Sequence, residues 1–349
     1  MNVKKIEIEN LNENYLQSKL WTIVKKVSSE TSPWKAIPLS SNHLNKVLVM
    51  QRKIFGNLYL SYIAHPEFSN KKIENINADE INTQIKKFSE SIKQYLHKNT
   101  LFVRYDLMFY TSRSLKEDYV PIKLEFKNLQ KSFDDIQPSN TTILNLNDSL
   151  DNIKAKMKKK TRYNINLSIK KNIKVIIDDD FKYFEEFYNL HKETAQRDKF
   201  TIHSKDYIKN LIKAFREDKN AKIKLIIALY NEQLISGIII GIYKDKATYL
   251  YGASSKKNRH LMPNYAVQFK AIQMLQALSI KEYDLLGIPP NADARHPLFG
   301  LFQFKTGFGG SIIHRIGCYD FVYKKFLYKI YRILEILRYI YYKIIKKRL

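Results

Sequence analysis

The stretch "GLFQFKTGFGG", Gly300 to Gly310, holds four of the ten glycines in a chain of 349 residues. They frame one cation, Lys305, with Phe304 and Phe308 on either side. Glycine lets a backbone turn sharply and lets another chain or a ligand come close. A lysine in such a stretch is therefore either exposed on a turn or held against something specific. A second concentration of charge is "KAKMKKKTR", Lys154 to Arg162, the densest basic run. Its Lys158, Lys159, Lys160 and Arg162 could meet the closely spaced phosphates of an RNA stem with salt-dependent, sequence-blind affinity; a solvated helix face is the other reading. A third is the loop "SSKKNRHLMPNYAVQF", which carries Lys256, Lys257, Arg259 and His260 but no glycine. Amides at a helix N-terminus can still face an anion there, although each Cβ hinders close approach. Finally, "FVRYD" places Asp106 near the end of a strand, two residues from Arg104.

The elements that must position these residues read as mixed α/β. "NENYLQSKLWTIVKKV" sets Leu16, Leu20, Ile23, Val24 and Val27 on one helical face. "NKVLVMQRKIF" and "LYLSYIAHP" alternate like hairpin strands joined through Gly56-Asn57. An amphipathic helix, "DEINTQIKKFSESIKQYLHK", leads to the strand "TLFVRYDLMF". A polar segment follows, then one helix from "NDSLDNIKAKMKKKTRYNINLSIKK", capped by Asp148 or Ser149. The later half repeats the outline: strand, two helices, three strands "AKIKLIIALYN", "QLISGIIIGIY" and "KATYLYGAS", the helix "MPNYAVQFKAIQMLQALSI" and the strand "EYDLLGI". The C-terminal "FVYKKFLYKIYRILEILRYIYYKIIKKRL" reads as one long basic helix with Lys325, Lys329, Arg332, Lys343 and Lys347 on a stripe. It either packs with a snorkelling basic edge or touches an anionic membrane surface.

Composition bounds the function. Domains run to roughly 100–200 residues, so two are expected. The 60 Lys and Arg outnumber the 34 Asp and Glu, a net charge of +26, which points to a polyanionic partner. A single cysteine, Cys318, excludes an internal disulfide and any cysteine-cluster metal site. The eight histidines show no metal-binding spacing, so no metal is expected. No signal peptide and no membrane-spanning run is apparent, so the expected location is the cytoplasm, up to the inner face of its membrane.

The second half has the element order of a GNAT-type acyltransferase. The ordered set "LQSKLW", "FVRYDL", "QPSNTTILNL", "KMKKKTRYNINLSIKKNIKV", "ETAQRDKF", "YLYGASS", "MPNYAVQFKAI", "YDLLGIPP" and "GLFQFKTGFGG" resembles the Fem-type peptidoglycan-bridge aminoacyltransferases, from about Gln17 to Tyr323. The resemblance implies an α/β (α+β) fold of two GNAT-like domains with mixed sheets. One would comprise residues 1–147 plus 317–349, the C-terminal segment returning to it, and the other residues 148–316. It implies transfer of an amino acid from aminoacyl-tRNA to the side-chain amine of the third residue of a stem peptide, carried by UDP-MurNAc-pentapeptide or lipid II. No cofactor is needed, since the ester is already activated. Between Asp180 and Phe200 there is room for one short helix only, so the chain is similar to the compact members without a coiled-coil arm, FemX among them. It departs from the family in "YIAHP", Tyr62 to Pro66, where a glycine-rich strand end is usual.

The resemblance also implies roles. Lys305 matches the lysine that reaches the active site and would stabilise the oxyanion of ester aminolysis. Phe304 and Gly307 belong to the same motif; Gly307, Gly309 and Gly310 would admit substrate backbone or phosphate. Asp106 would position or deprotonate the attacking amine, unless substrate or solvent takes that proton or Asp106 merely pairs with Arg104 or a loop amide. Arg197 matches an arginine on the precursor's pyrophosphate, for which its planar fork suits, or pairs with Asp198 or Glu193. Lys25 would be a second phosphate contact. Of Tyr249 and Tyr251, one is expected to meet substrate and the other to lie in the core. Two rivals are a CoA-dependent N-acyltransferase and a non-enzymatic RNA- or membrane-binding protein.

Overall fold

The computed structural model describes residues 1–11, 14–27 and 33–341. The chain divides into two units, one of Met1–Thr111, Val120–Ser139 and the chain from His314 on, the other of Ser112–Tyr119 and Asn140–Ile313.

The first unit begins with β1 (Val3–Lys5), α1 (Lys19–Val27), β2 (Lys35–Ser41), β3 (Asn45–Phe55) and β4 (Leu58–Ala64). Helix α2 (Ala78–Ile92), N-capped by Asn77, then crosses to β5 (Thr100–Arg113) and the short β6 (Gln130–Lys131). β1 to β4 form an antiparallel meander, and β5 lies parallel to β4 because α2 carries the chain back. The expected hairpin at Gly56-Asn57 is present, but its alternation is not: Val47 to Gln51 are all buried. Strands covered on both faces need apolar residues on both. Ile85, Phe88, Ile63, Val103 and Tyr105 share the core with Val47 and Val49. α1 starts later than the sequence pattern, after a single 3-10 turn at Tyr15–Gln17.

The second unit holds β7 (Asn140–Asn145), α3 (Leu150–Lys156), α4 (Lys159–Lys170), β8 (Lys174–Asp178), α5 (Phe184–Asp198), α6 (Lys205–Glu217), β9 (Ala221–Tyr230), β10 (Gln233–Tyr243), β11 (Lys246–Ser254), α7 (Pro263–Ala277), β12 (Glu282–Asp284) and α8 (Phe299–Thr306). β8 to β11 are an antiparallel meander, α7 crosses to β12, and β12 runs parallel to β11 and antiparallel to β7. The strand pattern of the first unit is thus repeated. Ile238, Ile240, Val267, Ile272 and Tyr283 lie in its core.

Two expectations are corrected here. Residues 150–170 form two helices rather than one, broken at Met157-Lys158. Ser149, not Asp148, caps the first, its hydroxyl accepting from Asn152 N. And Asp106 lies within β5, which runs on to Arg113, so it is not a strand-end residue. The chain closes with β13 (Ser311–Val322), next to β5 from His314 on, and α9 (Lys325–Ile340). Lys343 and Lys347 of the expected stripe lie outside the described residues.

Candidate active site

Lys305 is not on an exposed turn. It sits in the last turn of α8 and is 7% exposed. Its Nζ donates to the carbonyls of Leu286 at 2.6 Å and Gly287 at 3.0 Å, and stands 5.2 Å from the centre of the Tyr249 ring. Those carbonyls are aimed by the loop after β12. The Asp284 carboxylate accepts from Leu286 N at 2.7 Å and from the Thr141 hydroxyl, which pins the turn. Leu286 takes a φ of 55°, a conformation leucine rarely adopts. Burial pushes the Lys305 ammonium down to about 7, with Asp284 acting in the opposite sense. An ammonium has three N–H donors; the two carbonyls use two, and no described residue takes the third.

The glycines after Lys305 serve the protein's own packing, which corrects the expectation that they admit substrate. A Cβ on Gly307 would stand 2.4 Å from the Thr161 hydroxyl of α4, and one on Gly309, at φ 86°, 2.5 Å from the Lys156 carbonyl. Gly310 faces the Ile143 carbonyl in the same way. Lys158 N donates to Gly307 O at 2.9 Å, so the end of α8 is tied to the break between α3 and α4. The basic run therefore divides. Lys158, Lys159 and Lys160 are exposed at that break, while Arg162 is turned back to donate from Nη1 to the carbonyls of Ala155 and Met157, capping α3. Phe304 packs edge-on to Tyr265 and Phe308.

Tyr249 and Tyr251 do part company, but through a bulge. Two residues apart in a regular strand share a face; here the register against β10 slips, Tyr251 pairing with Ile239 and Tyr249 with Ile240. Tyr249 lies over Lys305, and Tyr251 lies edge-on to His191 and His203. Arg197, at the end of α5, donates from Nη1 to Ser254 O at 2.7 Å and forms a two-pronged pair with Asp198, both bonds 2.8 Å. That pair raises the guanidinium above its ordinary value.

In the first unit Asp106 is 1% exposed. Its Oδ2 accepts from Tyr62 OH and from Gln137 N, both at 2.9 Å, and Oδ1 is 3.7 Å from His65 Nε2. Burial raises its pKa to about 6, against these donors, which favour the charged form. Burial also holds His65 well below its ordinary value, so the imidazole is neutral and its contact with Asp106 is not an ion pair. Arg104 is not Asp106's partner: it donates from Nε and Nη2 to Asp320 and from Nη1 to Glu335 of α9, each at 2.8 Å.

Lys25 lies 4.5 Å from the Trp21 ring centre, and burial, aided by Arg52, pushes it down to about 8. Arg52, which sequence reasoning did not single out, stacks on Trp34 at 4.7 Å. Its buried Nε and that of Trp21 have no hydrogen-bond partner among the described residues. Buried donors beside two cations are what an anionic ligand satisfies. The only signal in the sequence was a lone arginine within the largely apolar strand "VLVMQRKIF".

The sequence profile of the FemAB family matches residues 5–233 and 222–336. The chain belongs to the FemAB family. Among curated proteins it is similar to the lipid II:glycine glycyltransferase of Staphylococcus epidermidis, 22% identical over 91% of this chain and 90% of that protein, and to that of Staphylococcus aureus, 22% identical over 92% and 91%. The alignment with the former runs over 382 positions, more than this chain contains, so that relative carries residues this chain lacks. Among solved structures the crystal structure of FemX superposes with a TM-score of 0.74 at 18% identity, covering 95% of this chain and all of FemX. The C-terminal domain of a putative lysylphosphatidylglycerol synthetase from Agrobacterium fabrum gives 0.51 at 10% identity, over 87% of each chain. The fold is therefore that of FemX, mixed α/β, as the motif order implied, with the strand pattern of one unit repeated in the other.

Proposed function

We propose that this FemAB-family chain is a tRNA-dependent aminoacyltransferase of peptidoglycan bridge or branch formation. The relatives named above as lipid II:glycine glycyltransferases support bridge aminoacyl transfer as the reaction class. The side-chain amine of the third stem-peptide residue attacks the ester carbonyl of the charged tRNA. A C–N bond forms, the C–O bond to the ribose breaks, and the ribose oxygen takes a proton. The acceptor is the UDP-linked or the lipid-linked precursor, and the products are deacylated tRNA and an extended peptide.

One observation carries this reading: Lys305 is a buried lysine with two donors spent on carbonyls and a third that no described residue takes, which we assign to the oxyanion. The two carbonyls fix its direction, so little reorganisation is required when negative charge develops. Arriving charge also favours the protonated form of a lysine that burial has weakened. Asp106, raised to about 6, is still mostly ionised at neutral pH and is a stronger base than an ordinary aspartate; it takes or positions the amine proton. Lys25 with Arg52 holds phosphate of the precursor, and Arg197 does so once Asp198 is exchanged for the ligand. Lys158, Lys159 and Lys160, tied by the backbone to the end of α8, meet the tRNA acceptor stem.

The test is transfer from total tRNA charged separately with radiolabelled Gly, Ala, Ser or Leu to UDP-MurNAc-pentapeptide or lipid II. Label should enter the precursor, vanish after RNase treatment and fall steeply in Lys305→Ala. No transfer from any donor to either acceptor, together with acetyl-CoA binding by calorimetry, would leave the CoA-dependent reading in its place.

A further inference from the structure

Helix α9 is docked by its polar side. Glu335 accepts from Arg104, Tyr328 OH donates to Asp320, and Arg332 Nη1 donates to Lys131 O at 2.7 Å. Tyr328 and Tyr331 pack on Phe102. A surface helix normally buries its apolar stripe and shows water the rest. Here the opposite face carries Phe326, Ile330, Ile333, Leu334, Leu337 and Ile340, with Phe326 75% exposed and Ile333 and Leu337 more than half exposed. At 100° per residue these six fall within an arc of about 120°. The arc has cations on both sides: Lys325 and Lys329 along one edge and Arg338 along the other, all exposed. The sequence continues past the described residues with Lys343, Lys346, Lys347 and Arg348. Among the described residues no helix is long and apolar enough to cross a membrane.

We propose that the outward face of α9 is a bilayer-docking surface, lying in the interface of an anionic membrane with its apolar arc among the acyl chains and its lysines at the headgroups. An apolar ridge between cationic edges is the pattern of an interfacial helix, and phosphate headgroups are what the edges would meet. Charge also decides against a second copy of the chain. The helix has one acid, Glu335, and it is committed to Arg104, so pairing two such faces would set lysine edges together with no carboxylate to answer them. The proposal rests on this helix and not on the reaction proposed above, though a lipid-linked acceptor would give the docking a use.

The experiment is flotation of the full-length protein with vesicles of phosphatidylcholine alone or with about a third phosphatidylglycerol. Wild type should bind the anionic vesicles and bind the neutral ones far less. The charge-neutral double variant Ile333→Gln/Leu337→Gln should bind anionic vesicles at least about ten-fold more weakly. Lys325→Gln/Lys329→Gln should lose about ten-fold on anionic vesicles only. All four side chains are exposed, so the melting temperature should not move, and transfer to a soluble UDP-linked acceptor in vesicle-free buffer reports the reaction separately. Undiminished anionic binding by Ile333→Gln/Leu337→Gln would overturn the proposal, because the general positive charge would then account for it. So would a concentration-dependent dimer abolished by that variant without vesicle binding, since the face would then be a self-interface.

Discussion

The two units lay out the same strands, a four-stranded meander followed by a helix and a parallel strand, yet bury opposite charges beside that last strand. In the first, β5 carries Asp106 among donors, Tyr62 OH and Gln137 N. In the second, β12 ends in Asp284, which is spent on shaping a loop, and the loop's carbonyls receive Lys305 from α8. Burial moves both groups towards neutrality, Asp106 up to about 6 and Lys305 down to about 7. One topology therefore holds a buried carboxylate or a buried lysine, according to whether the neighbouring segment offers N–H and O–H groups or carbonyls. Both charges persist together only over a narrow interval, so activity should follow a bell with limbs near those two values.

The largest test of this comparison is Lys305→Ala, which should lower kcat/KM by about 10²–10³-fold if the ammonium meets the oxyanion; steady-state kinetics with charged tRNA measures it. Asp106→Asn should cost about 10²-fold. A near-normal rate in that variant would break the symmetry, assigning proton removal to substrate or solvent and leaving Asp106 a structural group.

Stability should separate the two sites next. The folded chain holds the Asp106 proton more tightly than the unfolded chain does, so stability should fall as pH rises from the ordinary 3.8 to about 6, by on the order of 3 kcal/mol. Lys305 has the opposite sign. Its folded form gives up the proton near 7 instead of 10.5, so stability should recover as pH rises through that window. Melting temperatures of wild type should climb between these limits, and those of Lys305→Met should climb less and begin to climb only higher, near pH 8, where Lys25, also pushed down by burial, has the same sign. The smallest effect expected is for Tyr62→Phe. Loss of one donor to the ionised carboxylate, about 1 kcal/mol, should move the acidic limb of the pH–rate profile upward by about half a unit to one unit.

Much of this was legible in the chain. Residue patterns located α1, α2, α5, α6, α7 and α9, and the Gly-Asn turn located the β3–β4 hairpin. The motif order implied the FemX fold. What failed did so for local reasons. The helix through Lys154–Arg162 looked continuous because nothing in its residue types shows that Arg162 folds back to cap a first helix ending at Lys156. Tyr249 and Tyr251 separate through a bulge that periodicity cannot show. Arg52 was passed over because an arginine beside Lys53 in a strand gives no hint that its Nε will be buried without a partner.

By itself the sequence determined the family, most of the helices and strands but not β7, α8 or β13, and the identity of the cation to watch, because those depend on residue types, spacing and local propensity. Tertiary structure alone decided that Lys305 is buried on two carbonyls, that its glycines make room for α4 and the Lys156 carbonyl, and that α9 turns its apolar side outward. Each of these is set by partners far away in the chain, and the energy of a buried charge depends on what surrounds it rather than on what precedes it.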